Sequence, residues 1–146
     1  MLIEQQIATF FYVDDDSDDL MFFQDAIDAL GKYVKLFDRG DDMINLLRNP
    51  PPKPSVVFLD LNMPVKNGFE ILKEIRQSEE FRDIPIVIYS TAYNPDVVQK
   101  CIDLGANLYI TKATSLPGMI KMMKHVLSVE WDHFKPTSLR EFVYKP

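Results

Sequence analysis

The chain has 146 residues, of which 47% are hydrophobic and 26% charged, and its net charge is −6. This composition is typical of one globular domain, and the acidic balance argues against a nucleic-acid binder, which needs a basic surface. The single cysteine, Cys101, excludes a disulfide framework. The chain has no apolar run long enough to span a membrane, and its N-terminus lacks the basic residues of a secretory signal. We therefore expect a cytoplasmic protein.

Five short apolar runs, each followed by a helical pattern, dominate the chain. The runs are rich in β-branched and aromatic residues, which favours strands. The intervening segments carry apolar residues every three to four positions, which favours amphipathic helices. In chain order, the predicted strands are 7–13, 33–37, 56–59, 84–89 and 108–110, and the predicted helices lie around 20–30, 43–47, 69–75, 97–104 and 116–127.

This alternation predicts a doubly wound α/β domain with a parallel sheet and helices on both of its faces. Open sheets of this kind have their sites at the carboxyl ends of the strands. The proline-rich stretch 50–54 is predicted to be a loop within the domain, because βα units flank it closely. We therefore expect one domain over residues 1–129.

Residues 130–146 are predicted to form an irregular tail rather than a separate domain. The tail contains four aromatic residues, Trp131, Phe134, Phe142 and Tyr144. Because exposed aromatic patches usually mark contacts, we expect the tail to pack on the domain or on a second copy of the chain, which would make a homodimer.

Five acidic residues lie within six positions directly after the first predicted strand, at 14–16, 18 and 19. A bound cation would relieve their repulsion, and hard oxygen ligands suit Mg²⁺. Helix capping by Ser17 or Asp18 explains the later acids, but it does not explain Asp14 and Asp15, which precede the cap. An EF-hand loop is disfavoured, because its required Gly and final Glu are missing.

Asp60 directly follows the third predicted strand. A carboxylate at the end of a buried strand needs a charged partner. Since the first and third strands are expected to be neighbours, Asp14 and Asp15 should converge on Asp60 and form a metal site whose carboxylate can accept a phosphoryl group. Capping of the third helix is the alternative role, but Asn62 or Asn67 can cap it equally well.

Polar residues also follow the fourth and fifth predicted strands. The hydroxyl group of Ser90 or Thr91 could bind an anion held at Asp60, or could cap a helix. A lone lysine after a strand is usually a surface residue, but Lys112 points toward the same edge as the acids and could bind a phosphoryl oxygen. The joint appearance of these residues at four strand ends predicts a single site.

These motifs resemble the receiver domains of two-component response regulators over about residues 7–129. The resemblance implies the flavodoxin-like fold, a (βα)5 domain whose five-stranded parallel sheet has the strand order 2-1-3-4-5. The matching residues are Val13, Asp14 and Asp15, the segment Asp60, Leu61, Asn62, Met63 and Pro64 with Gly68, Ser90 and Thr91, Gly105 and Ala106, and Lys112.

The resemblance also implies the roles of the acidic residues. Asp60 is the implied phosphoacceptor. Asp14, Asp15 and Asp60, with the backbone carbonyl of Asn62, are the implied Mg²⁺ ligands. Asp15 with Asp16 is the alternative pair, and we prefer Asp14 with Asp15 because the first predicted strand ends just before them.

The remaining implied roles concern a switch. Ser90 is the implied switch hydroxyl that binds the phosphoryl group, and it is preferred to Thr91 because of its spacing to Lys112. Lys112 is expected to pair with a phosphoryl oxygen, and Tyr109 is the implied switch aromatic that turns inward when Ser90 moves. The family usually has proline after this lysine, often with a cis peptide bond. This chain has Ala113, which favours a trans bond.

The implied function is that of a response regulator, a signalling domain that catalyses only its own phosphorylation and dephosphorylation. Its expected partners are a sensor histidine kinase or phosphotransfer protein and a downstream protein target, and not a nucleic acid. No output domain is expected, as in stand-alone chemotaxis-type receivers. A phosphohydrolase is an alternative, although Asn62 occupies the position of its usual general acid. A non-switching interaction module is the other alternative, favoured by Ala113 alone.

Overall fold

The computed structural model describes residues 9–48, 54, 56–91, 93–136 and 138–146. Strands and helices alternate along most of this part of the chain. The elements are β1 (Thr9–Val13), α1 (Ser17–Ala29), β2 (Tyr33–Phe37), α2 (Gly40–Arg48), β3 (Val56–Leu59), α3 (Gly68–Gln77), β4 (Ile86–Ser90), α4 (Pro95–Asp103), β5 (Leu108–Thr111), α5 (Leu116–Ser128), α6 (Leu139–Phe142) and β6 (Val143–Tyr144).

All neighbouring strands are parallel, and their order is β2-β1-β3-β4-β5-β6. The predicted doubly wound fold and the order 2-1-3-4-5 are therefore confirmed, and the tail adds a sixth strand that the sequence did not predict. Strands β1, β3 and β4 are buried along nearly their whole length, whereas β2 is partly exposed at the edge of the sheet. The continuous apolar runs thus lie at the centre of the sheet, where both faces are covered.

Two apolar layers cover the two faces of the sheet. Alternate side chains of β1 enter different layers, with Phe11 and Val13 in one and Phe10 and Tyr12 in the other, as the two-residue period of a strand requires. The first layer is completed by α2, α3 and α4, and the second by α1 and α5. This packing fixes the strand ends relative to one another.

The bounds of β4 differ from the predicted strand 84–89. Ile84 is buried but lies outside the strand. The hydrogen bonds between β3 and β4 begin where the N–H group of Val57 donates to the carbonyl of Pro85. Pro85 has no N–H group to continue the ladder toward Ile84. At the other end, the strand extends to Ser90. The expectations for residues 1–8 and for most of the loop 50–54 lie outside the described residues.

The tail packs on the domain, as predicted, but it is less irregular than expected. Phe142 is only 2% exposed and belongs to the same apolar layer as α4. β6 pairs with β5 so that Val143 lies opposite Tyr109, and the ring of Tyr144 stacks on His125 of α5 with 4.2 Å between ring centroids. The tail therefore covers the outer edge of β5.

Among the helices described here, none is long and apolar enough to span a bilayer.

Candidate functional site

The carboxyl ends of four strands bring most of the predicted site residues together. Asp14 follows β1, Asp60 follows β3, Ser90 ends β4 and Lys112 follows β5. Backbone hydrogen bonds hold neighbouring strand ends in register: the N–H group of Asp60 donates to Val13 at 3.1 Å, and that of Lys112 donates to Ser90 at 2.8 Å. Asp14, Asp60 and Ser90 are buried polar residues, and all three lie at this one edge.

An acidic cluster forms at the centre of this edge. One carboxylate oxygen each from Asp14, Asp15 and Asp60 lies within 4.8 Å of the others, with Asp15 exposed and the other two buried. Oxygen atoms so arranged suit a hard divalent cation that retains some of its water ligands. Asn62 lies two residues after Asp60 in the same loop with an exposed side chain, and the role of its carbonyl stays a prediction.

Asp16 has a structural role beside this cluster. Its backbone is extended just before α1, and its carboxylate accepts hydrogen bonds from the N–H groups of Asp18 and Asp19. The prediction that Ser17 or Asp18 caps the helix is therefore wrong, because only the residue before the first turn has this geometry. Because the carboxylate of Asp16 caps α1, the acid that joins Asp14 and Asp60 in the cluster is Asp15.

Lys112 carries the positive charge of the site and is nearly buried. Its Nζ atom lies 2.7 Å from Oδ2 of Asp14, 2.8 Å from Oδ2 of Asp19 and 3.4 Å from Oδ1 of Asp60. Burial lowers the pKa of Lys112, but the hydrogen bonds to Asp14 and Asp19 outweigh it and keep the pKa above its ordinary value. The ammonium group is therefore charged and lies within reach of any group bound to Asp60.

Asp60 is buried, and only 6% of its side chain is exposed. Burial raises its pKa to about 6, the charge of Lys112 opposes the rise, and the charge of Asp14 adds to it. A nucleophilic carboxylate must be ionised. Positive charge at this edge of the sheet therefore favours the reactive form of Asp60.

Tyr12, which lies inside the first predicted strand, was not predicted from the sequence to be a site residue. Tyr12 is fully buried, and its hydroxyl group donates a hydrogen bond to Oδ2 of Asp14. Burial and then the charge of Asp14 raise the pKa of Tyr12 well above its ordinary value, so the hydroxyl group stays a donor. Residues two apart on a strand share a face, so a tyrosine two positions before a buried acid was the available signal.

The loop after Lys112 is held by a hydrogen bond that proline could not make. The peptide bond between Lys112 and Ala113 is trans, as the sequence favoured. The N–H group of Ala113 donates to the hydroxyl oxygen of Tyr89 at 3.1 Å. Burial raises the pKa of Tyr89 to about 12, so the hydroxyl group remains neutral. Tyr89 thus positions the backbone next to Lys112.

The side chains of Ser90 and Tyr109 interact at the buried end of β4. Burial raises the pKa of Tyr109, and the bond with Ser90 opposes the rise. The predicted switch begins with an exposed ring, but here Tyr109 is fully buried, in the apolar layer that also contains Val98 and Phe142. Thr91, the alternative switch hydroxyl, is exposed.

The chain resembles characterised response regulators in sequence. It is 39% identical over 77 residues to response regulator Rcp1 of Synechocystis sp., and 31% identical over 105 residues to two-component response regulator ARR16 of Arabidopsis thaliana. These matches cover 53% and 72% of this chain. The chain spans 52% and 63% of the lengths of the two relatives.

Solved structures of response regulators are also similar to this chain in fold. The phosphorylated cyanobacterial phytochrome response regulator RcpA superposes with a TM-score of 0.74 at 28% identity, covering 89% of this chain and 97% of that one. The Mn²⁺-bound form of response regulator Rcp1 gives 0.72 at 26% identity, with 90% and 99% covered. Residues 10–124 match the model of the response regulator receiver domain, and the chain therefore belongs to this family of two-component systems.

Proposed function

We propose that this chain accepts a phosphoryl group on Asp60 and transmits the resulting change through contacts with other proteins. The observation that carries the proposal is the position of Asp60 at the carboxyl edge of the sheet, 3.4 Å from Lys112 and within the acidic cluster. Family membership supports the same role. The receiver unit of this proposal is residues 1–129, with the tail 130–146 as an addition to it.

The proposed reaction is an in-line phosphoryl transfer. A carboxylate oxygen of Asp60 attacks the phosphorus atom of the donor, so that a new P–O bond forms while the bond between phosphorus and the leaving group breaks. The leaving group is the imidazole of a phosphohistidine, which takes up a proton, or acetate when acetyl phosphate is the donor. Such reactions depend mainly on positioning and charge neutralisation.

Lys112 supplies part of that neutralisation. Its ammonium group lies on the Asp60 side of the site and can donate to an oxygen of the incoming phosphoryl group. The hydroxyl group of Ser90, buried at the end of β4, is the second proposed donor to that group. Together they stabilise negative charge that develops during the transfer.

Asp14, Asp15 and Asp60, with the carbonyl of Asn62, are the proposed ligands of Mg²⁺. The fit rests on an all-oxygen donor set with one exposed member, which leaves room for water ligands. Bound there, Mg²⁺ would neutralise charge on the phosphoryl oxygens. The chain's own contribution is to hold the two buried carboxylates together against their repulsion: Tyr12 and Lys112 both bind Asp14, and Lys112 also pairs with Asp60.

The proposed phosphodonor is a sensor histidine kinase or a phosphotransfer protein, and the proposed target is a downstream protein. The net charge of −6 disfavours a nucleic-acid target. The family's role in two-component signalling supports protein partners at both steps.

Incubation with acetyl phosphate and Mg²⁺, followed by intact-mass measurement, tests the proposal. We expect wild-type protein to gain the mass of one phosphoryl group and Asp60→Asn to gain none. Asp25→Asn, an exposed acid on α1, is the matched control and should react like wild type. An equal yield in Asp60→Asn and wild type would overturn the assignment of the acceptor.

A further inference from the structure

Asp19 is an acid of the site that does not belong to the acidic cluster. It lies in the first turn of α1, where its N–H group is bound by the capping carboxylate of Asp16 at 3.2 Å. Its Oδ2 atom lies 2.8 Å from Nζ of Lys112, although Asp19 is not one of the three acids that form the cluster. The helix cap thus fixes the backbone from which Asp19 reaches Lys112.

We infer that Asp19 is a positioning residue that holds the ammonium group of Lys112 for phosphoryl transfer, an inference that rests on the proposed function. Lys112 has three N–H donors and three carboxylate neighbours, Asp14, Asp19 and Asp60. Asp14 and Asp60 are the carboxylates whose oxygen atoms must also serve the cation and the phosphoryl group. Asp19 has no such second task, so it can bind Lys112 before and during the reaction.

Whether the loss of Asp19 slows or speeds phosphorylation distinguishes a positioning role from a simple effect of its negative charge. By charge alone, removing either Asp18 or Asp19 should speed reaction with an anionic phosphodonor. Losing the contact that positions Lys112 should slow it, because a misplaced donor stabilises the transition state less. Asp18 carries the same charge on the same helical turn, but its side chain is exposed and forms no ion pair with Lys112. Asp18→Asn is therefore the matched control.

The test compares phosphorylation rate constants with acetyl phosphate by intact-mass time courses. We expect Asp19→Asn to react about tenfold more slowly than wild type, the size of one lost charged hydrogen bond. Asp18→Asn should react as fast as wild type or faster, and Asp19→Glu should recover part of the rate. In a Lys112→Met background, adding Asp19→Asn should no longer slow the reaction.

A second readout needs neither metal nor phosphodonor. The ammonium protons of Lys112, followed by ¹⁵N-detected NMR in the presence of a chelator, should exchange faster with water in Asp19→Asn than in Asp18→Asn. If Asp19→Asn and Asp18→Asn show equal proton exchange and equal phosphorylation rates, the inference is overturned while the proposed function stands. The inference is also overturned if Asp19→Asn still slows phosphorylation in the Lys112→Met background. A wild-type chain that gains no phosphoryl group overturns the proposed function and this inference together.

Discussion

The hydroxyl group of Tyr12 donates a hydrogen bond to the carboxylate of Asp14, and both residues are fully buried. A buried carboxylate is costly unless its oxygen atoms are bound. Lys112 binds the same oxygen from the side of the site, and the N–H group of Asp16 binds the other. Asp14 is therefore held in place from inside the sheet as well as from the site.

Tyr12→Phe tests the importance of this bond. The change leaves the ring in place but removes the donor, so we expect the free energy of unfolding to fall by about 1–3 kcal/mol. Urea denaturation with a chelator present measures it. Tyr33→Phe is the control, because Tyr33 is 64% exposed at the edge strand. Equal denaturation midpoints for the two variants would show that the hydroxyl group of Tyr12 contributes nothing.

The raised pKa of Asp60 predicts a pH-dependent cost in stability. Between the ordinary value of 3.8 and about 6, the folded chain binds a proton at Asp60 that the unfolded chain does not, so stability falls as the pH rises through this window. The gap corresponds to about 3 kcal/mol. We expect metal-free Asp60→Asn to be more stable than wild type above pH 6 by up to about this amount.

The same comparison at low pH provides the check. Well below pH 3.8 the side chain of Asp60 is protonated in both the folded and the unfolded state, and the advantage of Asp60→Asn should disappear. Denaturation curves of wild type and variant across this range measure the difference. An advantage that does not depend on pH would contradict burial of an ionised Asp60 as its cause.

The acidic site residues at the strand ends were predictable because they are charged residues that directly follow apolar, buried strands. Asp60 follows four apolar residues, and Asp14 follows an apolar run, so each acid demands a partner at the same edge. The βα alternation then dictates which edges meet. The cluster of Asp14, Asp15 and Asp60 therefore follows from local sequence and topology together.

Contacts that depend on side-chain direction were not predictable in this way. Asp19 is one of five clustered acids, and nothing in its spacing distinguishes it from Asp18 as a partner for Lys112. β6 is two residues long, and its pairing depends on Phe142 entering the core rather than on any strand-like run. Tertiary packing decides both, since the local propensities are weak.

Mg²⁺ binding should distinguish the two acids that follow Asp14. Asp15 belongs to the cluster, whereas Asp16 caps α1. We expect modest affinity, since Mg²⁺ keeps several of its waters, and we expect Asp15→Asn to abolish binding in calorimetry. Asp16→Asn should bind nearly as well as wild type, because Asn caps helices about as well as Asp. The reverse order of affinities would move the metal site to Asp16.

Removal of the tail should destabilise the domain. Phe142 is 2% exposed in the core, so Phe142→Ala should lower the free energy of unfolding by about 3–5 kcal/mol. Truncation before Glu130 should act in the same direction. Leu139→Ala is the control, because Leu139 is 46% exposed one helical turn earlier. If the truncated chain melts at the wild-type temperature and sediments like wild type, the tail has no part in stability or assembly.

The last prediction concerns coupling between Asp60 and the face around α4. In this structure the side chain of Ser90 interacts with Tyr109, and the backbone carbonyl of Ser90 accepts a hydrogen bond from the N–H group of Lys112. A phosphoryl group on Asp60 would offer the Ser90 hydroxyl a charged acceptor instead of Tyr109. A ligand shifts a conformational equilibrium only through contacts that differ between the states, and this exchange of partners is such a contact.

Ser90→Ala should therefore still accept a phosphoryl group on Asp60 but lose the response of the α4 face. Amide exchange over 95–104, measured with and without beryllofluoride, reports that response. Thr91→Ala removes the neighbouring hydroxyl group, which is exposed, and should behave like wild type. Because Val143 pairs with Tyr109, exchange over 139–146 should follow the same pattern. Identical responses in Ser90→Ala and Thr91→Ala would show that the signal does not pass through Ser90.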